Sequence, residues 1–301
     1  MWNRRIVIGT RGSKLARAQA DIVAQRLLHQ FPHQEIETRI IVTSGDRNQH
    51  SRLSEIGGKG IFIRELEQAL IDGTIDIAVH SFKDVTSQLA PSLSLVGFFT
   101  PESVCDVLVT KGNRPLAFLP PNARVGTGSM RRRALLHRIR PDIRLSDVRG
   151  NIDTRIAKVD RGEYDGILLS EAGLVRLGLE DRISERFDPY TFYPAPGQGV
   201  ITLEARTDDA DMRELGQKIG DARQRTISTA EFALLTTIGF DCRTPLGVYT
   251  KVKNDILLMC GFFIDYTTWE FRENSVEGRC DIPEKTGKEL ALKLLGRKEA
   301  S

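Results

Sequence analysis

The chain has 301 residues, enough for roughly two or three domains by length alone. Lys and Arg number 43 against 40 Asp and Glu, a net charge of +3, which excludes a surface given over to nucleic acid. Apolar residues at 40% exclude disorder, and no apolar run approaches the roughly 18 residues of a membrane span.

Met-Trp-Asn-Arg-Arg runs into the apolar stretch 6–10, a buried-strand pattern with no signal-peptide layout ahead of it, so the expected address is the cytoplasm. A helix follows, with Ala16, Ala20, Val23 and Leu27 on one stripe, then an alternating strand through Ile36, Thr38, Ile40 and Val42. Phe62, Leu66, Ala69 and Leu70 make the next helical stripe, and 75–80 the next strand. The grammar restarts near residue 100: strands at 106–110 and 124–127, a helix from Ser129, a strand at 143–148, a helix from Asn151 and a strand at 166–169. Such alternation predicts parallel sheets with helices on both faces. Pro194-Ala195-Pro196-Gly197-Gln198-Gly199 reads as a hinge or crossover. Beyond residue 220 the pattern becomes α+β: a helix over 227–237, strands at 248–253, 256–264 and 268–272, a hairpin turn at Asn254-Asp255, and a final helix carrying Leu290, Leu294 and Leu295.

Ligands of open α/β sheets bind beyond the carboxyl ends of strands, at helix N-termini. The junctions here are Thr10-Arg11-Gly12-Ser13, His80-Ser81-Phe82-Lys83-Asp84, Gly126-Thr127-Gly128-Ser129-Met130-Arg131-Arg132-Arg133 and Arg149-Gly150-Asn151, with Arg155 one turn on. Cations at helix N-termini oppose the macrodipole, so a fold gains little by collecting them there. A docking polyanion supplies the reason: backbone N–H groups, hydroxyls and guanidinium forks converge on it. The expectation is one rim gathering Arg11, Arg131, Arg132, Arg149 and Arg155; solvated surface is the alternative. Gly126-x-Gly128 lacks the third glycine and the acidic residue of a dinucleotide fingerprint. Asp84 can steer a proton or hold a cation, or serve as an N-cap. His80 reads as a packed strand residue. The cysteines at 105, 242, 260 and 280 form no CxxC pair or His/Cys cluster, so neither a disulfide scaffold nor a metal site is expected. Cys242 sits in a polar loop where a thiol can react, whereas Cys260 lies in an apolar run.

Several segments, in order, carry a family likeness: Thr10-Arg11-x-Ser13-x-Leu15-Ala16, Gly45-Asp46, Gly57-Gly58-Lys59-Gly60-x-Phe62, and Asp76-Ile77-Ala78-Val79-His80-Ser81-x-Lys83-Asp84. They continue with Val125-Gly126-Thr127-x-Ser129-x-Arg131-Arg132, Arg149-Gly150-Asn151-x-x-Thr154-Arg155, Ala172-Gly173-Leu174-x-Arg176-Leu177-Gly178, Gly197-Gln198-Gly199 and Cys242-x-Thr244-Pro245. The chain resembles the hydroxymethylbilane synthases, or porphobilinogen deaminases, over essentially its whole length.

The resemblance implies a transferase of tetrapyrrole (haem-type) biosynthesis that joins four porphobilinogen units head to tail, releasing ammonia each time. The primer is a dipyrromethane cofactor held by a thioether, here on Cys242. Each pyrrole carries an acetate and a propionate, which accounts for the arginines. Asp84 would stabilise a positive azafulvene-like intermediate, and Lys83, Arg11, Arg149 and Arg155 would share the catalytic site. Asp46, Lys83, Thr127, Gly128, Ser129, Arg131, Arg132 and Arg206 would hold the cofactor. Arg11, Ser13, Lys59, Phe62, Ser81, Arg149, Gly150, Asn151, Arg155, Arg176 and Gln198 would hold substrate or the growing chain. The implied fold is α/β: two periplasmic-binding-protein-like domains with mixed, mainly parallel sheets, and a small α+β domain bearing the cofactor loop. The expected bounds are 1–99 with 200–219, 100–199, and 220–301, in a cytoplasmic monomer with no nucleic-acid or membrane partner. The chain departs from the family pattern at Phe240-Asp241 before the cysteine, Phe232 after Glu231, Thr86, Gly128 and Val104-Cys105. Two alternatives stay open: a divergent paralogue that binds pyrroles but attaches the primer poorly, and a non-catalytic anion-binding protein of the same fold.

Overall fold

The computed structural model describes residues 2, 4–44, 63–239, 244–265 and 270–297. The elements begin with β1 (Ile6–Arg11), α1 (Lys14–Gln30), β2 (Ile36–Ile41), α2 (Arg64–Ile71), β3 (Ile77–Ser81) and β4 (Leu93–Phe99). Next come β5 (Asp106–Thr110), β6 (Arg124–Gly126), α3 (Met130–Ile139), β7 (Arg144–Ser146), α4 (Ile152–Asp160), β8 (Gly166–Ser170), α5 (Glu171–Val175) and β9 (Glu185–Arg186). The chain ends through β10 (Ile201–Arg206), α6 (Ala210–Ile219), α7 (Ala222–Ile238), β11 (Leu246–Lys253), β12 (Ile256–Ile264), β13 (Phe271–Arg279) and α8 (Pro283–Leu295). Two compact units result: Met1–Pro101 with Val200–Ser228, and Glu102–Gly199 with Thr229–Ser301.

The first unit is a five-stranded sheet of order β2-β1-β3-β10-β4. β1 pairs parallel with β2 and β3, while β10 runs antiparallel to both β3 and β4. The apolar stripe of α1 buries Ala16, Ala20, Val23 and Leu27, as its spacing predicts, and Gln19 with them. Ser13 starts that helix by accepting a hydrogen bond from Ala16 N at 3.2 Å. Ala20, Val23 and Leu27 share one core with Ile6, Ile8, Val79, Leu203, Met212 and Leu215. The helix α6 was not anticipated, although Met212, Leu215 and Ile219 form its buried stripe and Asp209 caps it.

The second unit repeats the plan with order β7-β6-β8-β5-β9. The pairs β6–β7 and β6–β8 are parallel, and β5–β8 and β5–β9 antiparallel. Each sheet is therefore half parallel and half antiparallel, more mixed than strand–helix alternation alone implies. A separate antiparallel sheet of order β11-β12-β13 completes the unit. Its β12 contributes Phe262 to the core that holds Leu108, Leu136, Phe187 and Tyr193. The β11–β12 turn places Asn254 and Asp255 at φ 48° and 61°, the left-handed pair that a tight hairpin requires. The third strand runs Phe271–Arg279, well past the expected end at 272; residues 268 and 269 of the expected span lie outside the described residues. Glu273, Asn274 and Ser275 are exposed on it, so its sequence looks like a loop.

Candidate active site

In the first unit β1 and β3 are parallel neighbours, so the residues following them emerge at the same edge of the sheet. That edge holds a small cleft of about 60 Å³ lined by Arg11, Ser13, Gln19, His80, Ser81 and Asp84, among others. Phe82, 1% exposed, anchors the 3₁₀ turn Phe82–Asp84 and so aims Lys83 and Asp84 outward. The Gln19 amide nitrogen donates to the Ser81 hydroxyl at 2.9 Å, tying α1 to the end of β3. Asp84 is half-buried and, among the described residues, its carboxyl meets no hydrogen-bond or ion-pair partner. It caps no helix, which removes the N-cap alternative. His80 lies beneath, with Nε2 at 3.0 Å from Glu204 Oε2, both side chains buried.

Arg206 stands elsewhere. The antiparallel register sets Ile201 opposite Ser81 and Glu204 opposite Ala78. Arg206 is therefore about 17 Å along the sheet from the cleft edge, at roughly 3.3 Å per residue. Its guanidinium donates to the carbonyls of Leu70 and Ile75 and pairs with Asp76 and Asp209. The expectation that Arg206 holds the cofactor is corrected on that ground.

In the second unit the junction after β6 carries Thr127, Gly128 and Ser129. Ser129 caps α3 by accepting from Arg132 N, and Thr127 Oγ1 accepts from Ser129 N. The expected open rim is corrected at Arg131 and Arg132, which are buried at 4% and 7% exposure. Arg131 donates to Asp106 at 2.5 and 3.2 Å and to Tyr193 O at 2.6 Å. Arg132 donates through Nε to Asp106 at 2.8 Å and through Nη1 to Leu168 O at 2.9 Å. Burial alone would raise the Asp106 carboxyl, but the two guanidiniums outweigh it and hold the group at about 2. Burial also lowers Arg132. Two cations therefore share one fully ionised carboxylate.

Gln198, expected on substrate, uses its amide inside the protein. Its nitrogen donates to Val104 O at 2.8 Å and Asp106 at 3.0 Å, and its oxygen accepts from Arg131. Arg176 is likewise enclosed, its side chain 3% exposed and paired with Glu102 at 2.7 Å. At the next junction Gly150 has φ 106°, a conformation that suits glycine alone, and Asn151 caps α4 by position. Arg155 Nε donates to Gly150 O at 2.7 Å, so Arg149 and Arg155 flank one tight turn. Asp46, Lys59, Phe62 and Cys242 lie outside the described residues. Sequence reasoning missed Asp106 and Glu204, the buried acids that organise the arginines and His80.

The model of the porphobilinogen deaminase dipyromethane-cofactor-binding domain matches residues 6–214, and that of the family's C-terminal domain matches 226–296. The chain belongs to the porphobilinogen deaminase family. It is 42% identical over 273 residues to the porphobilinogen deaminase of Nitrobacter winogradskyi, covering 90% of this chain and 86% of that one. It is 37% identical over 295 residues to the enzyme of Syntrophobacter fumaroxidans, covering 98% and 96%. Among solved structures it is similar to the methionine-binding protein MetQ, at 13% identity and a TM-score of 0.46, over 76% of this chain and 95% of that one.

The porphobilinogen deaminase reaction is the function of this chain: four porphobilinogen units are condensed to hydroxymethylbilane with loss of ammonia, on a dipyrromethane cofactor held by a cysteine. It is a transferase of tetrapyrrole biosynthesis. Among the described residues no helix is long and apolar enough to cross a membrane. The second unit fits such a cofactor. The buried Arg131–Asp106–Arg132 cluster carries one surplus positive charge, and a buried charge is tolerated where an anion completes it.

Proposed function

We propose that Asp84 is the catalytic carboxylate of this porphobilinogen deaminase and that the arginines after β1, β6 and β7 receive the carboxylates of substrate and cofactor. The observation that carries this is the Asp84 carboxyl at the mouth of the cleft, without a partner among the described residues and beside Arg11 and Ser13. Loss of ammonia from porphobilinogen leaves positive charge on the pyrrole and its exocyclic carbon. An ionised carboxylate opposite that charge stabilises it more as it develops than in the bound substrate, so it lowers the barrier. The carbon that forms the new bond must then shed a proton, and Asp84 is placed to take it or pass it on. Arg11 grips an acetate or propionate through a charge-assisted fork, with Ser13 and Ser81 offering hydroxyls at the same edge. Lys83, on the same turn as Asp84, supplies a second cation.

When bound, the dipyrromethane would supply the free pyrrole position to which the first unit is added. Arg131 and Arg132 provide surplus charge for its carboxylates, and Thr127, Gly128 and Ser129 line the same junction. Arg149, Gly150, Asn151 and Arg155 form a second anion-binding turn, which suits a chain that gains two carboxylates per step. Arg176 and Gln198 act from behind, through Glu102 and Asp106. Cys242 is assigned the thioether, and Asp46, Lys59 and Phe62 keep the roles that the family motifs imply. A cytoplasmic monomer is part of the same reading, to be checked by fractionation and by gel filtration.

Replacing Asp84 with Asn tests the centre of it. Turnover is expected to fall by at least about 10²-fold, the lower end for a positioned acid–base group. The melting temperature should hold, because the carboxyl has no partner to lose among the described residues. Retained turnover would remove Asp84 from the reaction.

A further inference from the structure

The crossover turn around Gln198 is held at three points. Gly197 and Gly199 both lie in left-handed backbone, at φ 70° and 81°, so neither tolerates a side chain without strain. Gly197 N donates to Glu231 Oε2 on α7 at 2.7 Å. Gln198 reaches Val104 O, Asp106 and Arg131 with its amide. Gly199 O accepts from Arg176. Whatever fixes the turn thus fixes the amide that touches both Asp106 and Arg131.

Glu231 is 6% exposed. Burial is the dominant influence on it and pushes its carboxyl up to about 7, against the opposing pull of the Gly197 amide and of the nearby Thr250 hydroxyl on β11, which itself makes no hydrogen bond among the described residues. Among the described residues no charged side chain from α7, from the crossover, from β11 or from α8 contributes to that shift. On the α8 side the close neighbour of this turn of α7 is Gly287, which lies against Ala230 O. The acid is therefore governed by one amide, one hydroxyl and its own burial. It does not touch the arginines, and no part of the reaction described above uses it.

We propose that Glu231 is a positioning residue for the Arg131–Arg132 anion site, acting through the Gly197–Gly199 turn on Gln198. The proposal rests on reading that arginine pair as the holder of cofactor carboxylates. An ionised acceptor makes a hydrogen bond roughly twice as strong as a neutral one, so the turn is held more firmly once the acid has lost its proton. The Gln198 amide, and with it the direction in which Asp106 draws the two guanidiniums, then follows the charge on Glu231.

The experiment is an amide and side-chain NMR titration of the full, cofactor-bearing chain between pH 5.5 and 8.5, in the native protein and in Glu231→Gln. In the native protein the Gly197 N–H and the Gln198 side-chain amide should shift together with a midpoint near 7. Protection of Gly197 N–H from exchange, corrected for intrinsic rates, should be about ten-fold higher at pH 8 than at pH 6. Both responses should be flat in Glu231→Gln, which keeps the shape and loses the titration. A flat Gly197 in the native protein, or a Gly197 that titrates while Gln198 stays still, overturns the proposal; the native titration alone decides this if the variant fails to fold. The underlying reading fails separately. If the double variant Arg131→Met, Arg132→Met still carries two pyrroles by intact mass, the pair does not hold the cofactor, whatever Gly197 does.

Discussion

Among the described residues Asp106 is the single anion paired with the two buried guanidiniums, and its removal is unequal to theirs. Asp106→Asn keeps the acceptor oxygen but leaves two uncompensated cations in the interior, a loss on the order of 3–5 kcal/mol. Urea melts should show it, and the variant should also fail to take up its cofactor, because the arginines no longer have a fixed direction. The pH dependence follows from the same cluster. The folded carboxyl sits at about 2 against an ordinary 3.8, so its contribution is present above pH 3.8 and is lost as pH falls toward 2. Glu231 has the opposite sign. Raised to about 7 from 4.5, it favours the fold in full below pH 4.5, and that contribution disappears as pH rises through 7. Glu231→Gln should therefore be more stable than the native chain at pH 8, by up to about 3 kcal/mol, and equal to it near pH 4. Thermal melts at several pH values check both the size and the direction; a native chain that gains stability from pH 5 to 8 relative to the variant contradicts the assignment.

At the scale of elements, strand direction decides which arginines can serve the site. Arg11 ends a strand parallel to β3 and reaches the cleft, whereas Arg206 ends an antiparallel one and faces away. Arg206→Gln should cost about 1–3 kcal/mol by breaking its bonds to Asp76, Asp209 and two carbonyls. It should leave KM for porphobilinogen and the mass of the bound cofactor unchanged. A chain that folds normally but loses its cofactor would restore Arg206 to the site.

The residues themselves explain which parts were legible in advance. Apolar spacing marks α1, and the run Ile256–Ile264 matches β12 residue for residue, because each buries a regular apolar face. Periodicity alone passes over β10, because Thr202 and Glu204, both buried, make an interior face look polar; the family likeness is what places a strand after Gly199. The extent of β13 past residue 272 is missed because it is an edge strand with polar residues in water. The junction motifs mark Arg11 and Arg131 beside the capping Ser13 and Ser129, and mark Arg149 and Asp84 by their place just after a strand. Spacing cannot reveal that Asp106, 25 residues before Arg131, would neutralise half of that charge.

For the whole molecule, the covalent primer is the property that survives unfolding. The intact mass of denatured protein, produced in a porphyrin-making host, should exceed the bare chain by two pyrrole units. Cys242→Ser should abolish the increment, and serine at 105, 260 or 280 should not. An increment retained by Cys242→Ser would move the attachment to another thiol.

Strand order also sets a timetable for synthesis. Among the described strands β4 pairs with β10 alone, which lies between it and β3. More than a hundred residues separate the end of β4 at Phe99 from Ile201. At roughly 5–20 residues per second, ribosomes leave the edge of β3 and the whole of β4 without partners for roughly 5–20 s. All five strands of the second sheet, β5 to β9, emerge within that interval and can pair before the first sheet closes. During that window the nascent chain displays Leu93-Ser94-Leu95-Val96-Gly97-Phe98-Phe99, an apolar segment with an open edge, and it is here that a chaperone would find its client.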